Sequence, residues 1–339
     1  MIHDENIASW FLPLNDAQVR QYIDAETVHR EFLLARSKAG EVRGGMLWRT
    51  VDHKRYLIRT SARGSQKSLG AETPALQDIY ERFIAKKERA ESRLKSLKEQ
   101  LDVMQRLNRA LRVGRVPGIV VDTLNALDTA GIASDFLTLG THALYAYEAA
   151  AGLRMKAEFL ATMDIDLFVD VDRHLQLIDA MRTARTSLLG ILRKADKSFQ
   201  VRGDQKQTAV NDKGFEVDFI RRPPKDGDPH PMPLRVDEDP EDTLWALQVP
   251  SGDRIQNGGM FTQMVVSPTG AMASMTTIDP HSFVRIKRTL SESQIRDPLK
   301  ARKDGNQAEL VARLLSDAYL VPQWVSPPAH PSTDGAPTS

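Results

Sequence analysis

The stretch Met163-Asp164-Ile165-Asp166-Leu167-Phe168-Val169 decides the fold of this chain. Side chains of a β-strand alternate between two faces, so the odd-numbered apolar residues after Met163 share one face and the two aspartates share the other. The two carboxylates lie about 7 Å apart along such a strand, a spacing that suits one shared divalent metal ion or two. A solvated strand face carries the same pattern, so the pair alone leaves both interpretations open.

A short β-like run lies upstream at Phe136 to Leu139, and it breaks at Gly140-Thr141 before a helical segment from His142 to Ala151. Glycine lets the backbone approach a ligand closely, and the start of a helix offers unpaired N–H groups to an anion. An ordinary turn has the same residues. A turn that can bind phosphate, followed by an Asp-x-Asp pair that can hold a metal ion, is nevertheless the combination that binding of a nucleoside triphosphate requires.

A later stretch, Gly214-Phe215-Glu216-Val217-Asp218-Phe219-Ile220, repeats the design of an apolar face opposite an acidic one. Its acidic face carries Glu216 and Asp218, and a long helical segment separates it from the first acidic strand. A strand, a helix and a second strand in this order bring a third carboxylate beside the first two. Spacing alone does not choose between Glu216 and Asp218 as that third carboxylate.

The chain resembles the polymerase-beta-like nucleotidyltransferase superfamily. The resemblance lies in the Gly-Thr turn, the Asp-x-Asp strand and the later lone carboxylate. Within this superfamily, Leu139-Gly140-Thr141-His142-Ala143-Leu144-Tyr145-Ala146-Tyr147 is similar to the prokaryotic abortive-infection and type IV toxin–antitoxin nucleotidyltransferases and their stand-alone relatives. The resemblance covers about Val116 to Leu320. Thr141 replaces the commoner serine and keeps its hydroxyl. The gap from Gly140 to Asp164 is longer than the superfamily's shortest form, so an excursion near residues 152–159 is expected.

This resemblance implies an α+β fold, with a mixed sheet and flanking helices. It implies magnesium-dependent transfer of a nucleoside monophosphate from an NTP to an acceptor hydroxyl, on RNA such as tRNA or on protein, with pyrophosphate release. Asp164 and Asp166 would hold two Mg²⁺ ions. Asp218 would be the third metal ligand and the base, with Glu216 as its alternate. The toxin relatives add an antitoxin as an expected partner.

The same resemblance assigns the nucleotide-binding residues. Gly140 and Thr141 would hold the phosphates. The segment from Lys300 to Ala308 looks like the family's C-terminal signature, which implies that Lys287 and Lys303 face the triphosphate. A lysine suits phosphate as a mobile point charge, although an ordinary basic surface helix has the same composition.

The N-terminal part predicts a helix from about Asp16 to Ser37 and then three short strands, Met46 to Val51, Arg55 to Thr60 and Gln66 to Leu69. Basic residues outnumber acidic ones in this small meander. Its candidate nucleic-acid-binding residues are Arg49, Arg55 and Arg59, which would contact phosphates while Trp48 or Tyr56 stacks on a base. A sheet edge guarded against aggregation by Arg and Lys is the alternative.

Thr73 followed by Pro74 predicts the start of a long helix that reaches about Arg112. Its apolar residues recur every seven positions, which predicts either an antiparallel partner helix in the same chain or a dimerisation arm. The glycines and proline of residues 114–118 mark the best domain boundary. We therefore expect an N-terminal module at 1–115, a nucleotidyltransferase domain at 116–321 and a disordered tail at 322–339.

Within the second module, the pattern predicts a single helix from Arg173 to about Lys194 and further strands at 199–202, 207–210, 245–249 and 260–266. The Pro-, Gly- and Asp-rich stretch from Arg222 to Pro233 predicts an exposed loop. Asp170 and Asp172 continue the acidic row, but a turn or helix cap is the favoured role for both.

Composition excludes several classes of protein. The 339 residues include no cysteine, which excludes disulfides, thiolate catalysis and cysteine-ligated zinc. No run of 18 apolar residues and no signal-like N-terminus occur, so we expect a cytoplasmic protein without a membrane partner. The net charge of +1 says nothing about partners. The rival function is a nucleic-acid-binding protein that keeps the nucleotidyltransferase fold without catalytic activity.

Overall fold

The structure, a computed structural model, describes residues 10–225, 227–234 and 242–320 of the chain. The predicted disordered tail at 322–339 lies outside these residues. Contacts divide the chain into two units, a larger one (Met1–Asn15, Val116–Ser267 and Ala273–Ser339) and a smaller one (Asp16–Arg115 and Pro268–Met272). The sequence analysis placed the first 15 residues with the smaller unit. The described part of that segment lies in the larger unit, because strand β1 (Phe11–Pro13) pairs there.

The secondary structure follows the chain in this order. The helices are α1 (Asp16–Glu41), α2 (Pro74–Ala110), α3 (Gly118–Ala130), α4 (Ala143–Ala151), α5 (His174–Ala184), α6 (Leu188–Ala195), α7 (Gly252–Gln256), α8 (Pro280–Ser291) and α9 (Pro298–Ser316). The strands after β1 are β2 (Gly45–Val51), β3 (Lys54–Thr60), β4 (Gln66–Ala71), β5 (Phe136–Leu139), β6 (Leu153–Met155), β7 (Asp164–Val169), β8 (Gln200–Arg202), β9 (Gln205–Val210), β10 (Glu216–Arg221), β11 (Met232–Pro233), β12 (Trp245–Gln248), β13 (Met260–Val266) and β14 (Met272–Ile278). Of the helices in the described ranges, none is both long enough and apolar enough to cross a bilayer.

The smaller unit consists of two long helices and the meander β2-β3-β4. Helices α1 and α2 run antiparallel, since Gln21 Nε2 donates to Asn108 Oδ1 at 3.0 Å while Lys86 Nζ binds Glu41 Oε2 at 3.0 Å toward their opposite ends. Leu97, in the middle of the heptad row of α2, is buried. The heptad pattern of α2 therefore has its antiparallel partner in the same chain, and association of two copies through α2 stays a prediction.

A mixed seven-stranded sheet, counted over the described residues, forms the core of the larger unit. Its main path is β11-β12-β10-β7-β5, and β9 joins β10 while β8 joins β9. Strand β10 runs parallel to β7 and β12, and the remaining pairings are antiparallel. Helices α3 and α6 pack together, as do α8 and α9. The predicted α+β fold with a mixed sheet and flanking helices is confirmed.

The long gap between the Gly-Thr turn and the acidic strand forms a small structure of its own. Helix α4 ends at Gly152, whose φ of 64° is the left-handed conformation that suits glycine at a helix C-terminus. Strand β6 follows and pairs antiparallel with β1, and a 3₁₀ turn at Ala157–Phe159 leads on toward β7. The Trp10 ring packs on Phe159, with the ring centroids 5.4 Å apart. The expected excursion thus provides the partner strand for the N-terminal segment.

The prediction of one helix from Arg173 to Lys194 is wrong. The structure has two helices, α5 and α6, because Arg185 adopts a left-handed φ of 49° after α5. Ser187 then caps α6 by accepting a hydrogen bond from the Gly190 N–H at 2.8 Å. Serine and threonine favour such local bonds over helix continuation, and this competition ends the first helix.

The prediction of an exposed loop from Arg222 to Pro233 is wrong at both ends. Arg222 is buried, and its Nη1 binds Asp228 Oδ2 at 2.5 Å. At the other end, Met232 and Pro233 form β11, which pairs antiparallel with β12. Strand β14, which pairs with β13, was not predicted.

Candidate active site

The register between β7 and β10 assembles the acidic cluster. The two strands are parallel, with Glu216 opposite Asp164 and Asp218 opposite Asp166. One carboxylate oxygen from each of Asp164, Asp166 and Asp218 lies within 4.8 Å of the others, close enough to share a metal ion. The structure therefore brings together the three aspartates that the sequence singled out.

Two hydroxyl groups hold the outer members of this cluster. Thr208 Oγ1, on the neighbouring strand β9, donates to Asp218 Oδ1 at 2.5 Å. The Thr162 hydroxyl, just before β7, donates to Asp164 Oδ1. Both bonds use one carboxylate oxygen and fix the orientation of the group, which prepares the other oxygen for a ligand.

Gly140 lies against the carboxylate of Asp166. Its φ of 63° is left-handed, and a Cβ at this position would collide with Asp166 Oδ2. Only glycine avoids both the backbone strain and the collision. The Gly140 turn therefore closes one side of the acidic cluster, as a cradle for a ligand bound there would.

Burial and like-charge repulsion within the cluster both shift the pKa of its central member, Asp166. Burial, and then the negative charges of Asp164 and Asp218, raise the pKa of Asp166 to about 6, although Lys287 and Arg296 oppose this shift. Clustered like charges disfavour ionisation unless a cation joins them. The cluster therefore fits a divalent metal ion, whose preferred protein ligands are carboxylate oxygens.

Glu216, the alternate third carboxylate, has a different environment from Asp218. Its Oε1 lies 2.6 Å from Arg202 Nη1, in an ion pair on the neighbouring hairpin. Asp218 forms no ion pair within the described residues, and burial raises its pKa while the Thr208 hydrogen bond lowers it. The geometry favours Asp218 as the ligand, since Glu216 already has a cation.

Two cations lie beside the acidic cluster and share one buried carboxylate. Asp304 accepts from Lys287 Nζ at 2.6 Å and from Arg296 Nε at 3.0 Å. Lys287 and Arg296 line a pocket of about 280 Å³ together with Gly140 and Asp166. The sequence analysis missed Arg296 and Asp304. The one signal for Asp304 was its place directly after Lys303 in the C-terminal signature.

The other predicted nucleotide-binding residues make hydrogen bonds within the protein. Thr141 Oγ1 accepts from Gln307 Nε2 at 3.2 Å, and Gln307 also donates to the Phe159 carbonyl at 2.8 Å. Lys303 Nζ donates to the Ala161 carbonyl at 2.8 Å. Burial, and then the charge of Lys287, lower the pKa of Lys303. Thr141 directly follows Gly140, and Lys303 is close enough to Asp164 to interact with its charge, but neither residue lines the pocket of Asp166.

His142 lies in the helix start next to the Gly-Thr turn and is almost fully buried. Its ring packs edge-on against Phe215, with the centroids 6.1 Å apart. Burial lowers the pKa of His142 to about 4, so the ring is neutral at physiological pH. This environment suits a structural role for His142 in the core of the larger unit.

The three meander arginines of the smaller unit do not form one surface. Arg49 lies opposite Tyr56 in the β2–β3 pairing, so it shares a face with Tyr56 and not with Arg55 or Arg59. Arg55 binds Glu72 at 2.6 Å and lies over the Trp48 ring. A single phosphate path along these three residues is therefore not present.

The side chain of Arg59 binds backbone carbonyls within the meander and just before it. Its guanidinium donates to the carbonyls of Arg43, Gly45 and Thr60 at 2.9, 2.9 and 2.6 Å. It also lies 4.5 Å from the centre of the Phe83 ring. These contacts stabilise the meander and leave few donors for a ligand.

Comparison with known proteins gives one match. A family model described as nucleotidyltransferase matches residues 119–323, which is more than half of the chain. Searches of curated proteins and of solved structures found no match. The matched region includes the site residues of the larger unit, namely Gly140, Thr141, Asp164, Asp166, Asp218, Lys287, Arg296, Lys303 and Asp304.

We predict that Asp166→Asn raises the melting temperature in metal-free buffer. The folded wild type disfavours the charged form of Asp166, so its stability falls as pH rises from the ordinary pKa of 3.8 to about 6. The asparagine side chain has no charge to lose or gain, so the stability of the variant does not fall for this reason. The difference in melting temperature should therefore grow across that pH range and stay constant above it.

Differential scanning calorimetry with a chelator, across this pH range, measures the effect. Asp212→Asn is the matched control, because Asp212 is an exposed aspartate of the same unit. Added Mg²⁺ should stabilise the wild type more than Asp166→Asn. A lower melting temperature for Asp166→Asn at every pH would contradict the electrostatic description of the cluster.

Proposed function

Because the chain belongs to the nucleotidyltransferase family, we propose that it moves a nucleoside monophosphate from an NTP to an RNA hydroxyl and releases pyrophosphate. The family is one of nucleotide-transferring enzymes, and the substrate and acceptor are the proposed part. The observation that carries the proposal is the approach of the Asp164, Asp166 and Asp218 carboxylates to within 4.8 Å. Structural clusters of like charge are costly, so a site that tolerates this one is a functional candidate.

The three aspartates are the proposed metal ligands. Their oxygens are the hard donors that Mg²⁺ prefers, and their mutual repulsion disappears when a cation joins them. We propose that Asp164 and Asp166 hold two ions and that Asp218 contacts one. Bound divalent ions neutralise phosphate charge and make an attacking hydroxyl more acidic.

Asp218 is the proposed base. Thr208 donates to its Oδ1, and we assign one lone pair of Oδ2 to the metal ion and the other to the proton of the acceptor hydroxyl. Burial raises the pKa of Asp218 in the metal-free protein, and a bound cation would favour its charged form, which is the form that accepts a proton. Glu216, the other carboxylate on this face of β10, is less suited to this role because it forms an ion pair with Arg202.

Lys287 and Arg296 are the proposed triphosphate-binding cations. Asp304 holds Lys287 at 2.6 Å and Arg296 at 2.9 Å, so neither side chain has to be ordered when the nucleotide arrives. Gly140 gives the phosphates access to the backbone. Thr141 and Lys303 complete the proposed phosphate side of the site.

The nucleoside has a pocket of suitable chemistry beside Asp166. Its volume is about 280 Å³, close to the lower end of typical ligand pockets. The apolar lining residues are Leu139, Ile220, Val249, Pro250, Ile255, Ile278, Phe283, Ile286 and Leu290. A nucleobase and its ribose suit such walls, with the phosphates directed toward Lys287.

A resemblance to abortive-infection and toxin–antitoxin enzymes supports a finer proposal. In it, transfer to RNA arrests growth, and a partner antitoxin restrains the enzyme. Growth arrest of a bacterial host that depends on Asp164 would support this role.

We predict that pyrophosphate release requires Asp164. The assay supplies each NTP in turn with Mg²⁺ and RNA, because the preferred base is open. Asp164→Asn should reduce release to background while its melting temperature matches or exceeds that of the wild type. Full activity in the variant, or none in the wild type with any NTP and acceptor, would favour the rival function of a nucleic-acid-binding protein.

A further prediction separates the two carboxylates of β10. Asp218→Ala should reduce activity by at least about 100-fold, as loss of a positioned base does, and should weaken Mg²⁺ binding. Glu216→Ala should keep a measurable part of the activity, because it removes an ion pair on the neighbouring hairpin. Activity retained by Asp218→Ala and lost in Glu216→Ala would move the site two residues upstream.

A further inference from the structure

A second pocket adjoins the pocket of Asp166, and Ile286 lines both. This second pocket lies on the larger unit between α7 and α8, and its volume is about 310 Å³. We call it the arginine pocket. Its lining residues are Arg254, Asn257, Gly258, Ser282, Arg285 and Ile286.

The arginine pocket is strongly positive. None of its lining residues is acidic, and both arginines are exposed. Within the described residues, neither arginine forms an ion pair, and the one side-chain hydrogen bond of Arg285 goes to Ser282 Oγ at 2.9 Å. The nearby Asp253 carboxylate lies 3.2 Å from Lys225 Nζ, a cation outside the pocket. Two guanidinium groups therefore remain available to an anion.

The chemistry of these donors suits a phosphate group. Guanidinium forks bind phosphate oxygens through two parallel hydrogen bonds, which a single lysine does not do. The Ser282 hydroxyl adds a further polar contact, and the Ile286 side chain offers an apolar surface to a sugar. The volume admits a nucleotide-sized group and is larger than a lone phosphate needs.

The arginine pocket is separate from the residues proposed to bind the phosphates of the NTP. Lys287 and Arg296 serve the pocket of Asp166 on the other side of Ile286. In the smaller unit, the meander arginines are engaged with Glu72, Gln66 and backbone carbonyls. The arginine pocket is thus a basic site next to the pocket of Asp166 whose two arginines form no ion pair within the described residues.

We propose that the arginine pocket binds a phosphodiester group of the acceptor RNA strand, next to the hydroxyl that receives the nucleotide. That this RNA strand is the acceptor rests on the proposed function. The positive charge of the pocket is a feature of the structure and does not depend on that function. Contact with the phosphate would place the strand end at Ile286, one side chain away from the pocket that contains Asp166.

The test measures binding of a fluorescein-labelled single-stranded RNA oligonucleotide by anisotropy at several salt concentrations. The double variant Arg254→Ala/Arg285→Ala should bind the RNA at least about tenfold more weakly than the wild type at low salt. Its log–log salt slope should flatten by about 0.7 per lost contact, or about 1.4 for the pair. Both side chains are exposed, so the melting temperature should not change.

Lys194→Ala/Lys197→Ala is the matched control, because it removes the same charge from two exposed cations outside the arginine pocket. Equal weakening in this control would mean that overall charge carries the binding, and would overturn the proposal. Binding of a non-hydrolysable NTP should be unchanged in the arginine variant. Loss of NTP binding with intact RNA binding would also overturn it, since the pocket would then serve the NTP.

Failure of the two proposals can be told apart. RNA binding that depends on the two arginines, without pyrophosphate release by the wild type, would reject the enzymatic function and support the pocket. Pyrophosphate release with unchanged RNA binding in the arginine variant would support the enzyme and reject the pocket.

Discussion

The parallel pairing of β7 with β10 in a single register is the constraint on which the site depends. In this register Asp218 lies opposite Asp166, while Ile165, Leu167 and Phe219 are fully buried on the other face. A slip by one residue would turn the apolar side chains toward the acidic face and the aspartates toward the core. Burial of the apolar face therefore fixes the positions of the carboxylates, and the hydrophobic core and the chemistry are set by the same strands.

The assembled carboxylates repel one another, and the surrounding residues limit the cost. Burial and the two neighbouring aspartates raise the pKa of Asp166 to about 6, while Lys287 and Arg296 oppose this shift. Asp304 holds both cations in place, so the positive charge stays beside the cluster without neutralising it through a direct ion pair. Like charges held this close reduce the stability of the empty site, and a bound cation would offset that loss.

The sequence alone was enough for the acidic strands, because alternation of apolar and acidic residues depends only on the period of a β-strand. It was not enough where tertiary contacts decide. Asp304 on α9 contacts Lys287 on α8 and Arg296 in the loop between the two helices, a relation that no local spacing contains. The break at Arg185 depends on one left-handed residue inside a continuous helical pattern.

A count of charges did not show how the meander arginines are engaged. The meander looked like a basic surface, yet Arg59 points its donors at backbone carbonyls and Arg49 lies on the opposite face. Loop composition was misleading at Arg222, which is buried and forms an ion pair with the half-buried Asp228.

The central claim is that Asp164, Asp166 and Asp218 form one metal centre. An anomalous difference map from crystals grown with Mn²⁺ and a non-hydrolysable NTP tests it most directly, because Mn²⁺ replaces Mg²⁺ at oxygen sites and is located independently of any activity. We expect manganese within coordinating distance of all three carboxylates and none at Glu216. Manganese bound at Glu216 in place of Asp218, or no manganese at the cluster, would contradict the account.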